Sequence, residues 1–470
     1  MATRAIRPRV GVLALTLELY ETLLPELRPG RQQWLERSVL PMLRAVADVS
    51  FARAVFRRED VEAAVAEYEG AGVDALVVIC LTYCPSQIAL GALRRTRLPI
   101  VIWNTQELLA VGEDFDGARM VANHGVHGTQ DLASVLVQNG VRFEYVTSHP
   151  SDAGGAGQLA DFLAAAAAVA GLRRVRVGLM GYPFPGMGDF AVDTTHLAAT
   201  LGCQWTALSV EEYIQRADTA PPDAVRQMVQ EYRTLYAIAD DLTETDLEAT
   251  AAAELAMRGV IADRKLDAFS YQFLAFGEDE RTVTLPFVAT SRLMADGIGF
   301  AGEGDLIGAV GTWLLDRLQG PASFSEVFTI DFAGNGLFMS HMGEANAAMA
   351  RTDRKTALVA RPQPITRTRG RQLALVTSFQ PGPATLFALC RGPERKWRLI
   401  ASPIEIADYG PLAGMCVPHF KLTCPRGDVR DFLTGYAKAG GPHHNAVCFG
   451  NATRRLRFAA QLLDADYCEV

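Results

Sequence analysis

The chain has 470 residues, with 45 lysines and arginines against 53 aspartates and glutamates, for a net charge of −8. Its hydrophobic content of 49% with 21% charged residues is that of a globular protein, and the length suggests roughly three domains. The acidic balance, without a lysine or arginine block, argues against a nucleic-acid role.

The first residues, Met-Ala-Thr-Arg-Ala-Ile-Arg-Pro-Arg, run into a short apolar strand at Val10–Leu15 and then Glu18 and Glu21. That pattern has no small-residue cleavage site and does not read as a signal peptide. Eight cysteines (80, 84, 203, 390, 416, 424, 448 and 468) form no CxxC pair. They point to a reducing compartment rather than a disulfide framework or zinc module, so a cytoplasmic protein is expected.

From residue 9 to 150 short β-branched runs alternate with amphipathic segments. Strands are expected at Val10–Leu15, Ala52–Phe56, Ala75–Ile79 and Ile100–Trp103, with helices over Arg31–Ala47, Arg58–Gly70 and from about Pro85. This alternation predicts a parallel sheet covered by helices, with ligand-facing groups at the carboxyl ends of the strands. Two such ends carry polar groups, Cys80-Leu-Thr-Tyr-Cys-Pro and Asn104-Thr-Gln106. Cys80 and Cys84 have no basic neighbours to activate a thiol and read as structural. His124 and His127 precede a helical run at 129–139 and are either a helix-start cluster or a substrate contact. The alanine-rich Phe162–Leu172 is shorter than the ~20 residues a membrane span needs and reads as a buried or half-buried helix.

A second unit begins near Arg173. Strand Val175–Met180 opens into Gly181-Tyr-Pro-Phe-Pro-Gly-Met-Gly188, whose spacing matches neither dinucleotide nor phosphate-loop patterns and reads as a plain strand-to-helix turn. Helices follow at 222–239 and 245–264, a strand-rich stretch at Leu266–Phe276, and a helix at Leu306–Leu318 with Asp305 as its N-cap. From about residue 325 apolar runs shorten (Val327–Phe332, Gly336–Ser340, Gln372–Thr377, Ala384–Arg391, Lys396–Ile400, His419–Leu422), which predicts an antiparallel β domain of small-barrel type. The tail 452–470 reads as helix.

The chemistry-bearing residues cluster in the last third. Glu303 sits in Met294-Ala-Asp-Gly-Ile-Gly-Phe-Ala-Gly-Glu-Gly-Asp305, where small neighbours let a carboxylate approach a ligand closely. Glu326 lies in Ser323-Phe-Ser-Glu-Val-Phe, and His341 in Met-Ser-His-Met, where a lone histidine is more often a satisfied core residue than a ligand. His443 and His444 follow Gly440-Gly-Pro and are expected in a turn, their side chains diverging. Two carboxylates and two imidazoles would form a suitable inner shell for a divalent, oxygen-preferring ion such as Mn²⁺. No Gly-x-Ser-x-Gly elbow and no His-Glu-x-x-His occur.

In Arg292–Asp305, Ser323-Phe-Ser-Glu326, Ser340-His-Met342 and Gly440-Gly-Pro-His-His444, the chain resembles the L-arabinose isomerase family, within the L-arabinose/L-fucose isomerase group. Fainter echoes are Leu19-Tyr20, Asn104-Thr-Gln106 and Asn123–Gly128. The resemblance implies two Rossmann-like α/β domains with parallel sheets (1–172 and 173–324), then a C-terminal antiparallel β-barrel-like domain with a terminal helix (325–470). It implies an aldose–ketose isomerase in which Glu303, Glu326, His341 and His444 hold a divalent metal, commonly Mn²⁺, while the two glutamates act as acid and base. Substrate-facing positions carried over are His443, Gln106, Phe276, Leu17 and His127. The histidine at the position of His127 reaches a neighbouring subunit's site in a homotrimer or homohexamer. The family's Ser-Gln-His-Leu-Tyr-Gly reads Thr16-Leu-Glu-Leu-Tyr-Glu21, so a glutamine has become Leu17. Its Glu-Gly-Asp-Trp reads Glu303-Gly-Asp-Leu306, and Phe273–Asp279 is rearranged. These departures spare the ion site and touch the pocket wall. They leave open an isomerase for a different aldose, or a catalytically silent sugar-binding relative.

Overall fold

In the computed structural model, which describes residues 6–424 and 427–470, the chain forms two units, residues 6–170 and 171–470. Residues 1–5, part of the N-terminal run considered above, lie outside the described residues. The first unit is a five-stranded parallel sheet in the order Asp48–Ser50, Arg9–Leu15, Ala75–Cys80, Ile100–Asn104, Glu144–Thr147. Strand Ala75–Cys80 is buried along its whole length, which is why it reads as an unbroken apolar run. Helix Arg58–Gly70 lays Tyr68 against Gly11, where a Cβ would come within 2.5 Å of the ring, and the Tyr68 hydroxyl donates to the Val12 carbonyl at 2.8 Å.

Two local expectations change here. Ala52–Phe56 is not a strand: Val55 makes a single bridge to Leu15, the Gln32 side chain takes the Ala54 N–H at 3.0 Å, and the edge strand is Asp48–Ser50. The helix expected over Arg31–Ala47 is three pieces, Leu27–Trp34, a π-turn at Leu35–Val39, and Leu40–Val46. Pro41 lacks the N–H that would continue an unbroken α-helix through this point. The alanine-rich helix begins earlier than its composition suggests and spans Ala153–Leu172. It is the one helix among the described residues long and apolar enough to cross a membrane, and more than half of that apolar stretch is buried inside the protein.

The second unit opens with four parallel strands in the order Gly299–Ala301, Ala268–Tyr271, Arg176–Met180, Gln204–Leu208. The stretch 266–276 is only half strand, because Gln272 caps a short helix at Phe273–Gly277. Helix Leu306–Gln319 is almost wholly buried. A Cβ at Gly299 would come within 2.6 Å of Trp313 Cβ, and one at Gly311 within 3.2 Å of Leu389 Cβ, so the helix fits tightly between the parallel sheet and the strands that follow. On helix Glu244–Arg264, Glu254, 0% exposed, accepts from Arg258 Nε and Arg292 Nε at 2.7 Å each and from the Tyr232 hydroxyl at 2.7 Å.

Six C-terminal strands pair antiparallel around a ring: Gly382–Arg391, His444–Phe449, Ala322–Asp331, Gly336–Ser340, His419–Thr423, Trp397–Ile406, and back to Gly382–Arg391. The ring is barrel-like with one short seam, because Trp397–Ile406 meets His419–Thr423 only through Glu405–Thr423 and Ile406–Leu422. Leu337, Met339, Phe379, Leu386, Ile404, Phe420 and Val447 fill its core, and helix Val429–Lys438 adds Val429 and Phe432. The tail is helical only over Thr453–Leu463. Asp464 ends that helix in the left-handed region, and Asp466–Glu469 joins Trp397–Ile406 as a parallel strand. The expected class, two parallel-sheet α/β layers followed by an antiparallel barrel-like sheet, is the class observed.

Candidate active site and ion-binding centre

The carboxyl ends of the second unit's parallel strands meet one end of the strand ring, and the ionisable residues of the last third converge there. Glu303 follows strand Gly299–Ala301 with φ 62°, in the left-handed region that costs an ordinary residue about 1–2 kcal/mol. Its neighbours make the conformation possible. A Cβ at Gly302 would lie 2.8 Å from His341 Cε1, and one at Gly304 would lie 2.5 Å from the Tyr182 carbonyl oxygen. The turn is tied down by Phe184 N–H donating to the Glu303 carbonyl at 2.9 Å and by Ser270 Oγ donating to the Ala301 carbonyl at 2.6 Å.

Strand register supplies the other half. Glu326 on Ala322–Asp331 lies directly across from His444 on one side and Ser340 on the other, so Glu326, His444 and the residue after Ser340 gather at one place. His444 thus opens a strand rather than sitting in a turn, because Ala322–Glu326 pairs with residues 444–448. Nor do the two final imidazoles diverge: their ring centroids are 4.2 Å apart, and both reach Glu303. His444 Nε2 is 3.0 Å from Glu326 Oε1 and 3.3 Å from Glu303 Oε2, while His443 Nε2 is 3.7 Å from Glu303 Oε2 and His341 Nε2 is 3.6 Å from Glu326 Oε1.

Each imidazole is held from behind by a carboxylate. His341 Nδ1 donates to Glu344 at 2.6 Å, His444 Nδ1 to Asp305 at 2.8 Å, and His443 Nδ1 to Asp189 at 2.6 Å. Glu344 also accepts from the Tyr271 hydroxyl. Asp305 caps helix Leu306–Gln319 as expected, through Oδ1 and the Gly308 N–H at 2.8 Å, and its other oxygen takes His444. Phe324, two residues before Glu326 on the same face, wedges edge-on between His341 and His444, with centroids at 4.7 and 4.9 Å. Phe190 stacks flat on His444. With Nδ1 occupied, each ring turns Nε2 toward the glutamates, the orientation that metal-ligating histidines adopt. Sequence reading missed Asp189, Glu344, Phe190 and Phe324 and gave Asp305 only its capping role. The one local signal was the i, i+3 spacing of His341 and Glu344.

The donor set fits a divalent ion. Glu303, Glu326, His443 and His444 offer ligand atoms all within 4.8 Å of one another, so the closest grouping takes in His443, while the expected His341 stands beside it with Nε2 3.6 Å from Glu326 Oε1. The buried His341 Nε2 has no hydrogen-bond partner among the described residues, although it faces Glu326. Burial opposes ionisation of Glu303, yet hydrogen bonds from His443 and His444 hold it down at about 2. Burial likewise opposes ionisation of Glu326, which the charge on His341 and the bond from His444 nonetheless lower. His444 is pushed well above its ordinary value despite burial, through its bonds to Asp305, Glu303 and Glu326.

Two family models match, the L-arabinose isomerase central domain over residues 187–315 and the L-arabinose isomerase C-terminal domain over residues 321–466. The chain belongs to the L-arabinose isomerase family. Membership makes it an enzyme of the aldose–ketose isomerase class. It is 28% identical over 416 residues to the L-arabinose isomerase of Acidothermus cellulolyticus, covering 84% of this chain and 80% of that relative. It is 28% identical over 413 residues to that of Nocardioides sp. (82% and 79%), and 26% identical over 446 residues to that of Geobacillus kaustophilus (92% and 86%).

Of the other positions expected to face substrate, one belongs to the second unit and three to the first. Phe276 is fully buried, its ring edge-on to Tyr213 and Tyr271. Leu17, Gln106 and His127 all belong to the first unit, at the carboxyl edge of its sheet. Leu17 is half-buried after strand Arg9–Leu15, and Gln106, after Ile100–Asn104, donates to the Leu108 carbonyl at 2.7 Å. His127 is exposed in the first turn of helix Gly125–Gln138, edge-on to His124, which in turn bonds the Tyr20 hydroxyl at 2.9 Å.

Proposed function

We propose that this enzyme converts L-arabinose to L-ribulose, or a closely related aldose to its ketose, through a cis-enediol, with Glu303 and Glu326 as the acid–base pair. The observation that carries the reading is the convergence of the two carboxylates on His444 Nε2, at 3.3 and 3.0 Å, inside a ring of carboxylate-oriented imidazoles. Glu303, Glu326, His341 and His444 would hold a divalent ion, for which we propose Mn²⁺. Such an ion would supply Lewis acidity to the two sugar oxygens that exchange a proton.

The rest of the chemistry belongs to the chain. One carboxylate removes the proton from C2 and returns it at C1, while the other moves a proton between O2 and O1, so nothing is gained or lost overall. Both glutamates are held ionised at neutral pH, the form in which a carboxylate accepts a proton. Phe324, Phe190 and buried Phe300 limit water around the pair, which sharpens every electrostatic interaction there. His443 stands at the open side of the cluster, and with Leu17, Gln106, Phe276 and His127 it is a position we assign to sugar contact by family resemblance. We further propose a homotrimer or homohexamer in which His127 serves a neighbouring subunit's site. A cytoplasmic location fits eight unpaired cysteines.

Ketose formation should be measured with metal-stripped protein reloaded with Mn²⁺, using L-arabinose beside a panel of pentoses, hexoses and deoxysugars. Mn²⁺-dependent turnover of L-arabinose is expected. Turnover of another aldose alone would replace the substrate and keep the chemistry, as the change to Leu17 allows. Binding of Mn²⁺ and sugar without any ketose would overturn the catalytic reading in favour of a silent sugar-binding protein.

A further inference from the structure

The turn Gly181–Gly188 matches no phosphate-binding pattern, yet its end enters the site. After strand Arg176–Met180 the chain wraps Glu303, donating Phe184 N–H to its carbonyl, and arrives at Asp189 and Phe190. The Asp189 carboxylate accepts twice from His443, from the backbone N–H at 3.0 Å and from Nδ1 at 2.6 Å. That leaves Nε2 as the ring nitrogen turned to Glu303, 3.7 Å away.

The three carboxylate–imidazole pairs are not equivalent. Asp305 and Glu344, behind His444 and His341, are each 2% exposed, whereas Asp189 and His443 are 38% and 41% exposed. Two pairs are sealed and one faces the mouth. A molecule entering from solvent can reach the open pair, whereas the sealed pairs are closed to it.

We propose that Asp189 is a positioning residue: it fixes the His443 imidazole so that Nε2 meets the bound sugar, and it does so without contributing to ion binding. This rests on the isomerase reading above and assigns to the loop 181–190 a role in substrate recognition. An aspartate accepts both His443 protons through one oxygen. An asparagine with its carbonyl oxygen in that place can still accept both, whereas an alanine removes both contacts and frees the ring to turn or to reverse which nitrogen carries the proton.

The test uses full-length D189A, D189N and H443A proteins and the double variant D189A/H443A, with binding of L-arabinitol, a non-reacting sugar alcohol, and of Mn²⁺ read by calorimetry. In D189A we expect L-arabinitol affinity and kcat/KM to fall roughly tenfold or more, Mn²⁺ affinity to stay within about threefold, and D189N to recover most of the loss. In the H443A background D189A should change neither L-arabinitol affinity nor kcat/KM, because the residue acts through the ring. An equal loss in both backgrounds, or a loss confined to Mn²⁺ affinity, overturns the proposal. A wild type that binds Mn²⁺ but neither binds L-arabinitol nor turns over any aldose removes the isomerase reading instead. The crystal structure of D189A then decides the positioning claim by itself. A His443 ring turned away from Glu303 supports the claim, and an unmoved ring overturns it.

Discussion

Glu326 and His444 face each other across two neighbouring antiparallel strands, with Oε1 3.0 Å from Nε2, and the same glutamate lies opposite Ser340 on its other flank. The pairing register alone therefore delivers one acid, one imidazole and, one residue further on, His341. A slip of a single residue would send Glu326 to the opposite face of the sheet.

Replacing either glutamate by glutamine should lower kcat by ~10²-fold or more, and it should lower the unfolding midpoint of the metal-free protein only as far as the loss of the carboxylate's bonds from the imidazoles requires, leaving the variant folded. Steady-state turnover beside thermal unfolding separates the two effects. Wild-type turnover in E303Q or E326Q would sink the acid–base assignment.

Glu344 touches the site through His341 Nδ1 and also accepts from the Tyr271 hydroxyl. Glu344→Gln should weaken Mn²⁺ binding about 10- to 100-fold, the range found when a ligand histidine loses its supporting carboxylate. Titration of metal-stripped protein with Mn²⁺ reads this directly, and unchanged affinity would mean that His341 does not hold the ion.

Gly302→Ala places a methyl 2.8 Å from His341 Cε1 and 2.9 Å from Nε2. The ring must move, at a cost of about 1–3 kcal/mol for overpacking. We expect a folded protein with weakened Mn²⁺ binding. A crystal structure with His341 in its original place and full affinity would contradict this account of the glycine.

The pH dependence has a definite sign. In the metal-free protein burial opposes charge on His341 and His444, yet Glu344 and Asp305 with the two glutamates raise both above the ordinary 6.5. A group raised on folding contributes stability that is complete below its unfolded value and is lost as pH climbs through its folded value. Glu303, lowered from 4.5 to about 2, contributes stability present above 4.5 and lost as pH falls toward 2. The unfolding midpoint of metal-free protein should therefore decline above pH ~6.5, while Mn²⁺, which must displace the same protons, binds more tightly. Midpoints measured from pH 5 to 9 with and without Mn²⁺ should spread apart as pH rises. Parallel curves would refute the coupling.

Away from the site, Glu254→Gln removes the charge that two guanidinium groups share and should cost about 3–5 kcal/mol. Arg258 and Arg292 retain Asp296 and Glu231, so the lower end is expected. Denaturant unfolding checks it, and an unshifted midpoint would show the triad to be neutral.

Much of this was legible in residues and much was not. The parallel-sheet units could be read because alternation of apolar runs is a local signal, and strands such as Gly336–Ser340 and helix Arg58–Gly70 fall where the pattern puts them. Glu303 announced itself through flanking glycines. Strand His444–Phe449 did not, because its pairing with Ala322–Glu326 joins residues more than a hundred positions apart. Two of the three carboxylates behind the histidines were hidden for the same reason: Asp189 and His443 are 254 residues apart, and Asp305 and His444 are 139 apart. Only tertiary convergence reveals such pairs. Glu394 and Arg395 show the opposite failure, since nothing around them in the sequence forecasts a left-handed turn.

The short stretch around Gly320 divides the site's inheritance. Asp189, Glu303 and Asp305 precede it, and Glu326, His341, Glu344, His443 and His444 follow it. A recombination event that exchanged the chain on either side would pass on one glutamate with no imidazole, or three imidazoles with two of their supporting carboxylates missing. Neither part completes the site alone, and a change at Asp189 in the loop 181–190 is felt at His443, within the last thirty residues of the chain.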